Sequence, residues 1–157
     1  MSQFRVEKRR AEAELMLSSG ECRRGCFFLA TSTASHAGPE RVKDILNFEP
    51  GFFPFETTEP ARTVLVNREQ VVTVRLLGPR PESQLDSGYD VATVRRVEMR
   101  LSNRLVLRGS VRVYRPAGRD RLSDYARQAE LFRYLENADG TYIVNSSYIV
   151  ELSEITS

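Results

Sequence analysis

The sequence has no tryptophan, one histidine and two cysteines in 157 residues, and each shortage removes a class of chemistry. Nucleophilic catalysis needs a histidine or a comparable base held beside its nucleophile. His36, the single histidine, sits in the run Ser32-Thr33-Ala34-Ser35-His36-Ala37-Gly38, and its plain reading is a surface loop residue without a catalytic role. Cys22 and Cys26 fall on one face of an extended strand, about 13 Å apart and beyond disulfide reach. Two cysteines also cannot fill a four-ligand zinc shell, so both read as small interior residues. A phosphate-cradling glycine loop and a nucleotide fingerprint are missing too. No catalytic residue, metal site or cofactor is expected, and the chain reads as a non-enzyme.

No apolar run approaches the length of a membrane span, and Met1 to Glu14 is too charged for a secretory signal. A cytoplasmic protein with no membrane partner is the expectation. Lysine is scarce: of 23 basic residues only Lys8 and Lys43 are not arginine. Arginine offers a planar five-donor fork suited to carboxylates, phosphates and aromatic faces, although codon bias in a GC-rich genome is the plainer account of such a bias. The formal net charge of +2 is too small to imply an anionic partner by itself. With 41% hydrophobic and 28% charged residues, the balance is that of a folded globular chain.

What the chain does contain is a repeat. Glu14-Leu15-Met16-Leu17-Ser18 recurs 84 positions on as Glu98-Met99-Arg100-Leu101-Ser102, and Arg24-Gly25 as Arg108-Gly109. The offset then falls to 80, carrying Arg41-Val42-Lys43-Asp44 onto Arg121-Leu122-Ser123-Asp124, Phe52 onto Phe132 and Glu56 onto Glu136. It ends at 78, with Thr63-Val64-Leu65-Val66-Asn67 on Thr141-Tyr142-Ile143-Val144-Asn145 and Val71, Val72, Val74 on Ile149, Val150, Leu152. The order of matches is kept throughout, which reads as an internal duplication. Two units of about 65–75 residues are near the size at which a lone core is marginal. Each is therefore expected to bury a shared face against its sister.

Within each unit, strands are punctuated by turns. Glu12 to Leu17, a turn at Ser18-Ser19-Gly20, then Cys22 to Ala30 correspond to Val97 to Leu101, a turn at Ser102-Asn103-Arg104, then Leu105 to Tyr114. Gly25 and Gly109 stand mid-strand at equivalent places, where a glycine marks a bulge or a sharp bend. A short helix follows in each unit, over Pro39–Leu46 and Asp120–Ala126, with apolar residues three and four apart. Asp44 follows Arg41 by three residues, as Asp124 follows Arg121, so an ion pair across one helical turn is the simple account of both. Two strands close each unit: Thr63 to Val66 with Val71 to Leu76, and Thr141 to Val144 with Tyr148 to Leu152. The joints between them allow only a tight turn or one turn of 3₁₀ helix. Residues 1–77 form the first unit, 78–90 a linker by its proline and glycine content, and 91–157 the second.

The fold class is mainly β, and the strand count with a bend glycine and a closing hairpin describes two tandem small barrels, each with one short helix. The endings Val64-Leu65-Val66-Asn67-Arg68-Glu69-Gln70-Val71-Val72-Thr73-Val74 and Tyr142-Ile143-Val144-Asn145-Ser146-Ser147-Tyr148-Ile149-Val150-Glu151-Leu152 resemble the closing strand pair of Sm-like and SH3-like barrels. The pattern strand, Gly, strand, Arg-Leu-Ser-Asp-Tyr, aromatic, strand, Val-Asn, Ile-Val is similar to a bacterial family of small domains, present here in tandem. That resemblance implies a fold and carries no activity with it. The Sm uridine pocket is not implied, because the turns read Asn67-Arg68-Glu69 and Asn145-Ser146-Ser147 where Sm proteins have an Arg-Gly pair. Arg5 and Arg9 have the Arg-x-x-x-Arg spacing of PilZ domains, but the second PilZ motif is absent.

One stretch stands out for charge. From Arg95 to Arg121 there are nine arginines, opposed only by Glu98 and Asp120. Strand alternation puts Arg96 and Arg100 on one face, and Arg108 and Arg112 on one face of the next strand. Paired strands would merge them into an outward stripe beside Tyr114, with Tyr125 also available for stacking. Arg96, Arg100, Arg108, Arg112 and Tyr114 are thus the candidate residues for an anion or a protein partner. The expected function is a binding or adaptor module acting on another protein through exposed strand edges and this face. Nucleic acid bound along the arginines is the alternative, and self-association is left open.

Overall fold

A computed structural model describes residues 8–30, 39–48, 50–79, 81–114 and 121–156. His36, Arg5, Arg115 and Arg119 lie outside the described residues. Ten strands are β1 (Lys8–Leu17), β2 (Cys22–Ala30), β3 (Phe52–Thr57), β4 (Arg62–Asn67), β5 (Val71–Leu76), β6 (Thr93–Leu101), β7 (Val106–Val113), β8 (Phe132–Asn137), β9 (Gly140–Asn145) and β10 (Ile149–Glu154). Two helices are α1 (Val42–Phe48) and α2 (Leu122–Ala126). The β4–β5 and β9–β10 joints are single 3₁₀ turns, Arg68–Gln70 and Ser146–Tyr148. Each is capped by an asparagine, Asn67 accepting from Glu69 N–H and Asn145 from Ser147 N–H. No helix among the described residues is long and apolar enough to cross a membrane.

Two separately closed barrels are not what the strand pairing gives. The strands form one open antiparallel sheet in the order β10-β6-β7-β8-β9-β5-β1-β2-β3-β4. The reason is its central pair. β5 hydrogen-bonds β9, Thr73 facing Val144, Val74 facing Ile143 and Arg75 facing Tyr142, so the ladder passes from one half into the other. Each half follows the same order, β5-β1-β2-β3-β4 and β10-β6-β7-β8-β9. Registers also coincide. Ala13 faces Gly25 as Val97 faces Gly109, Leu15 faces Val74 as Met99 faces Leu152, and Phe52 faces Asn67 as Phe132 faces Asn145.

Strand alternation sorts side chains into two cores. One gathers Leu15, Phe27, Leu29, Phe53, Phe55, Val71 and Val74 under α1, with Phe27 stacked on Phe53 at 5.2 Å. The other gathers Val97, Met99, Leu101, Val111, Val113 and Leu135 around Tyr125 of α2. Both cores borrow across the central pair: Phe132 and Ile143 enter the first, Val72 the second. The bend glycines are required by close approach. A Cβ on Gly25 would lie 2.0 Å from the Glu56 carbonyl oxygen, and one on Gly109 2.5 Å from that of Glu136.

The helices are tied down the same way in both halves. Asp44 and Asp124 accept from the backbone N–H of Arg41 and Arg121 at 2.8 and 3.0 Å, and each also faces that arginine's guanidinium. A buried arginine then holds each helix from below. Arg68 donates to the Ile45 and Phe52 carbonyls, while Arg133 donates to those of Tyr125, Gln128 and Glu130. The segment of residues 81–91 is ordered into two 3₁₀ turns, Glu82–Leu85 and Tyr89–Val91, and is bonded to both halves.

Candidate functional site

Inward Val97, Met99 and Leu101 on β6, and Val111 and Val113 on β7, leave Arg96, Arg100, Arg108 and Arg112 on the opposite, outward face. The pairing brings them together, with Glu98 opposite Arg108 and Val94 opposite Arg112. Besides Glu98, it also brings in Glu151 and Glu136, which counting along that stretch did not show. Arg108 Nε lies 2.7 Å from Glu98, Arg100 3.7 Å from Glu151 of β10, and Arg112 3.8 Å from Glu136 of β8. Four guanidinium groups thus stand among three carboxylates, and Arg96 has no acidic partner among the described residues. This is a mixed surface rather than a cationic stripe.

Arg112 is committed inside the molecule. It donates to the Tyr89 carbonyl at 2.7 Å, and its guanidinium carbon sits 3.6 Å from the Tyr89 ring centroid, clamping the Tyr89–Val91 turn onto β7. Tyr114 is 37% exposed. Burial, then the charge of Asp86 and a hydrogen bond to it, push its hydroxyl above the usual tyrosine range. Tyr125 is not a stacking platform: its ring is buried in the second core, and burial raises its hydroxyl to about 12. The cysteines correct another expectation. Gly25, Phe27 and Leu29 take the inward side of β2, so Cys22 is exposed and Cys26 half-buried on the outer face. Burial and the neighbouring Glu12 raise the Cys26 thiol.

The recurring carboxylates are ion-paired across strands. Glu14 meets Arg24 and Arg75 at 3.4 and 3.6 Å, Glu56 meets Arg10, and Glu136 meets Arg112. No cluster of three or more His, Cys, Asp or Glu suited to a metal ion occurs among the described residues.

A polar cleft of about 240 Å³ lies where α1, residues 81–91, β7, β8 and α2 meet. Glu82, just outside its lining, holds two of its walls together. Its carboxylate accepts from the Val42 and Lys43 N–H groups and from the Tyr134 hydroxyl, all at 2.9 Å. Burial pushes Glu82 above the usual carboxylate range, and these hydrogen bonds oppose the shift. Arg41 bridges Asp44 and Asp86, and Lys43 reaches Asp86 and Glu130 while covering the Tyr134 ring. The charges of the cleft answer one another. Glu82, Asp86, Tyr89 and Tyr134 are absent from the sequence-based candidates, because a proline- and glycine-rich stretch carries no periodic signal of docking.

Among the described residues, the ends of the sheet leave backbone edges open. β4 pairs only with β3, and β10 only with β6, among the described residues. β4 carries one charge, Arg62, and no proline, so it lacks the usual devices that blunt an edge. Large apolar side chains stand at both ends: Leu65 of β4 is 69% exposed, Phe52 of the adjoining β3 62%, and Val150 of β10 63%.

Comparison with protein-family models, with curated proteins and with solved structures finds no match for this chain.

Proposed function

We propose that the chain is a non-enzymatic protein-binding module that takes extended segments onto the open ends of its sheet. The observation that carries this reading is that β4 and β10 each pair on one side only among the described residues, with Leu65, Phe52 and Val150 exposed there. An edge offers a row of free N–H and C=O groups that an incoming strand satisfies, and flanking apolar residues supply selectivity. The two halves are read as tandem, partly open small barrels descended from one duplicated unit, a reading supported by their shared strand order and registers. The arginine face is a weaker candidate for a nucleic acid, since Arg108 and Arg100 stand beside Glu98 and Glu151 and Arg112 holds the linker.

Panning a displayed library of random peptides against the purified chain tests this reading. Selected peptides are expected to alternate apolar and polar residues, to lose binding to the Leu65→Asp or Val150→Asp variant, and to bind Arg96→Glu/Arg108→Glu unchanged. A labelled single-stranded RNA or DNA titrated by anisotropy gives the counter-result. Saturable, steeply salt-dependent binding that Arg96→Glu/Arg108→Glu abolishes would replace the strand-addition reading with a nucleic-acid one.

A further inference from the structure

The central β5–β9 pair has a counterpart that the chain leaves unmade. Under the sequence offsets, β9 is the equivalent of β4 and β5 the equivalent of β10. Three side chains cross between the cores at the central pair: Phe132 and Ile143 into the first, Val72 into the second, all fully buried. Their equivalents are Phe52, Leu65 and Val150, the same three large apolar residues left exposed at the sheet ends. Equivalent positions with equivalent chemistry are buried where a partner edge is present and exposed where it is not.

We propose that β4 of one chain pairs with β10 of a second copy, in the register by which β9 pairs with β5 within the chain. This rests on the strand-addition reading above and names the partner. Transferring the observed register, in which Val74 faces Ile143 and Thr73 faces Val144, sets Leu152 opposite Leu65 and Glu151 opposite Val66 of the other copy. Phe52 and Leu65 then gain the cover that Phe132 and Ile143 have, and Val150 that of Val72. The β4 edge needs a complementary edge of fixed register, and β10 of this same chain is one built on the equivalent plan.

Two differences make the contact between copies weaker than the internal one. Within the chain, Asn47 of α1 donates to the Phe132 carbonyl and accepts from the Phe132 N–H, both at 2.9 Å; its equivalent is Arg127, just past the end of α2, which has no amide to repeat this. Buried Thr73 is replaced by Glu151, which faces Arg100 in the free chain. The association is therefore reversible and concentration-dependent. It is also head-to-tail, since each copy offers two different edges, so it builds rings or open chains rather than a two-fold dimer.

The test is the mass of the full chain in sedimentation velocity across concentrations up to millimolar, for the wild type, Leu65→Asp, Val150→Asp and an equimolar mixture of the two variants. Both substituted positions are exposed, and an unchanged far-UV circular dichroism spectrum checks folding. The expected wild-type mass rises above the monomer with concentration, while each variant alone stays monomeric. The mixture is expected to form a two-chain species that grows no further, because one variant retains β10 and the other β4. A monomeric wild type, an oligomer that survives both substitutions, or a mixture that stays monomeric would overturn the proposal. If the wild type stays monomeric yet still binds selected peptides at its edges, strand addition stands with another partner; if it binds none, both readings fall.

Discussion

The same structural position lives two lives in this molecule. Ile143 on β9 is sealed in a core and Leu65 on β4 faces water; Phe132 is sealed and Phe52 is not; Val72 is sealed and Val150 is not. The residue types hardly differ within each pair, and neither do the registers within each half. What differs is whether a neighbouring edge exists. Burial here is a property of the junction and not of the local sequence, so the energetic weight of each residue should follow the junction.

The largest effect comes from cutting the sealed member of each pair. Phe132→Ala should lose about 3–5 kcal/mol and Ile143→Ala about 2–5, the range for emptying a packed core site. Phe52→Ala and Leu65→Ala, measured at concentrations where the chain is monomeric, should stay within about 0.5 kcal/mol. Urea denaturation of the four variants decides it, and equal losses within a pair would mean that the difference between the central junction and the sheet end is not real.

A smaller effect compares the bends. Gly25 and Gly109 let the β3 and β8 carbonyls approach the strand closer than a side chain permits. Gly25→Ala and Gly109→Ala are each expected to destabilise by about 1–3 kcal/mol through overpacking. Gly25→Ala should be the worse, because its added Cβ would meet the Glu56 carbonyl at 2.0 Å against 2.5 Å for the other pair. The reverse order in the same denaturation series would remove close approach as the reason for these glycines.

Several local features of this architecture are legible in the sequence because similar short-range patterns occur in both halves. The bend glycines, the Arg–Asp pairs on the helices and the 3₁₀ joints follow from short-range patterns, and the repeat marked which were shared. The junction was not legible, since Leu65 and Ile143 carry the same local signal. Cys22 and Cys26 read as interior from their small size alone, but the parity set by inward Gly25, Phe27 and Leu29 turns them outward. The arginine stripe was placed on the right face, but its charge was overstated. Glu136 and Glu151 come from β8 and β10, distant in the chain and adjacent in the sheet. Equivalent helix carbonyls, those of Ile45 and Tyr125, are gripped by arginines at non-equivalent positions, Arg68 and Arg133, a solution that no repeat alignment reveals.

The contrast sharpens further at the helices. Asn47 of α1 fastens itself to both backbone groups of Phe132, whereas its equivalent Arg127, just past the end of α2, is exposed. Asn47→Ala should lose about 1–2 kcal/mol from those two hydrogen bonds, and Arg127→Ala should leave the unfolding midpoint almost unmoved. A silent Asn47→Ala would mean that these two hydrogen bonds add nothing measurable to the other links between the halves.

The smallest effect is a pH dependence peculiar to the first half. Glu82 accepts from the first N–H groups of α1, while α2 is served at its start by its own Asp124. Burial raises the Glu82 carboxyl above its unfolded value, so the folded chain holds this proton more tightly than the unfolded one. By linkage, the ionised form carries a penalty near neutral pH that disappears as pH falls through the raised folded value, and no further gain follows below the unfolded one. Glu82→Gln lacks the titration. The stability of the wild type relative to Glu82→Gln should therefore rise as pH is lowered from neutral toward the ordinary glutamate range, read as paired thermal melts across that window. A difference that stays flat, or that falls with pH, would mean that the three hydrogen bonds to the carboxylate outweigh its burial.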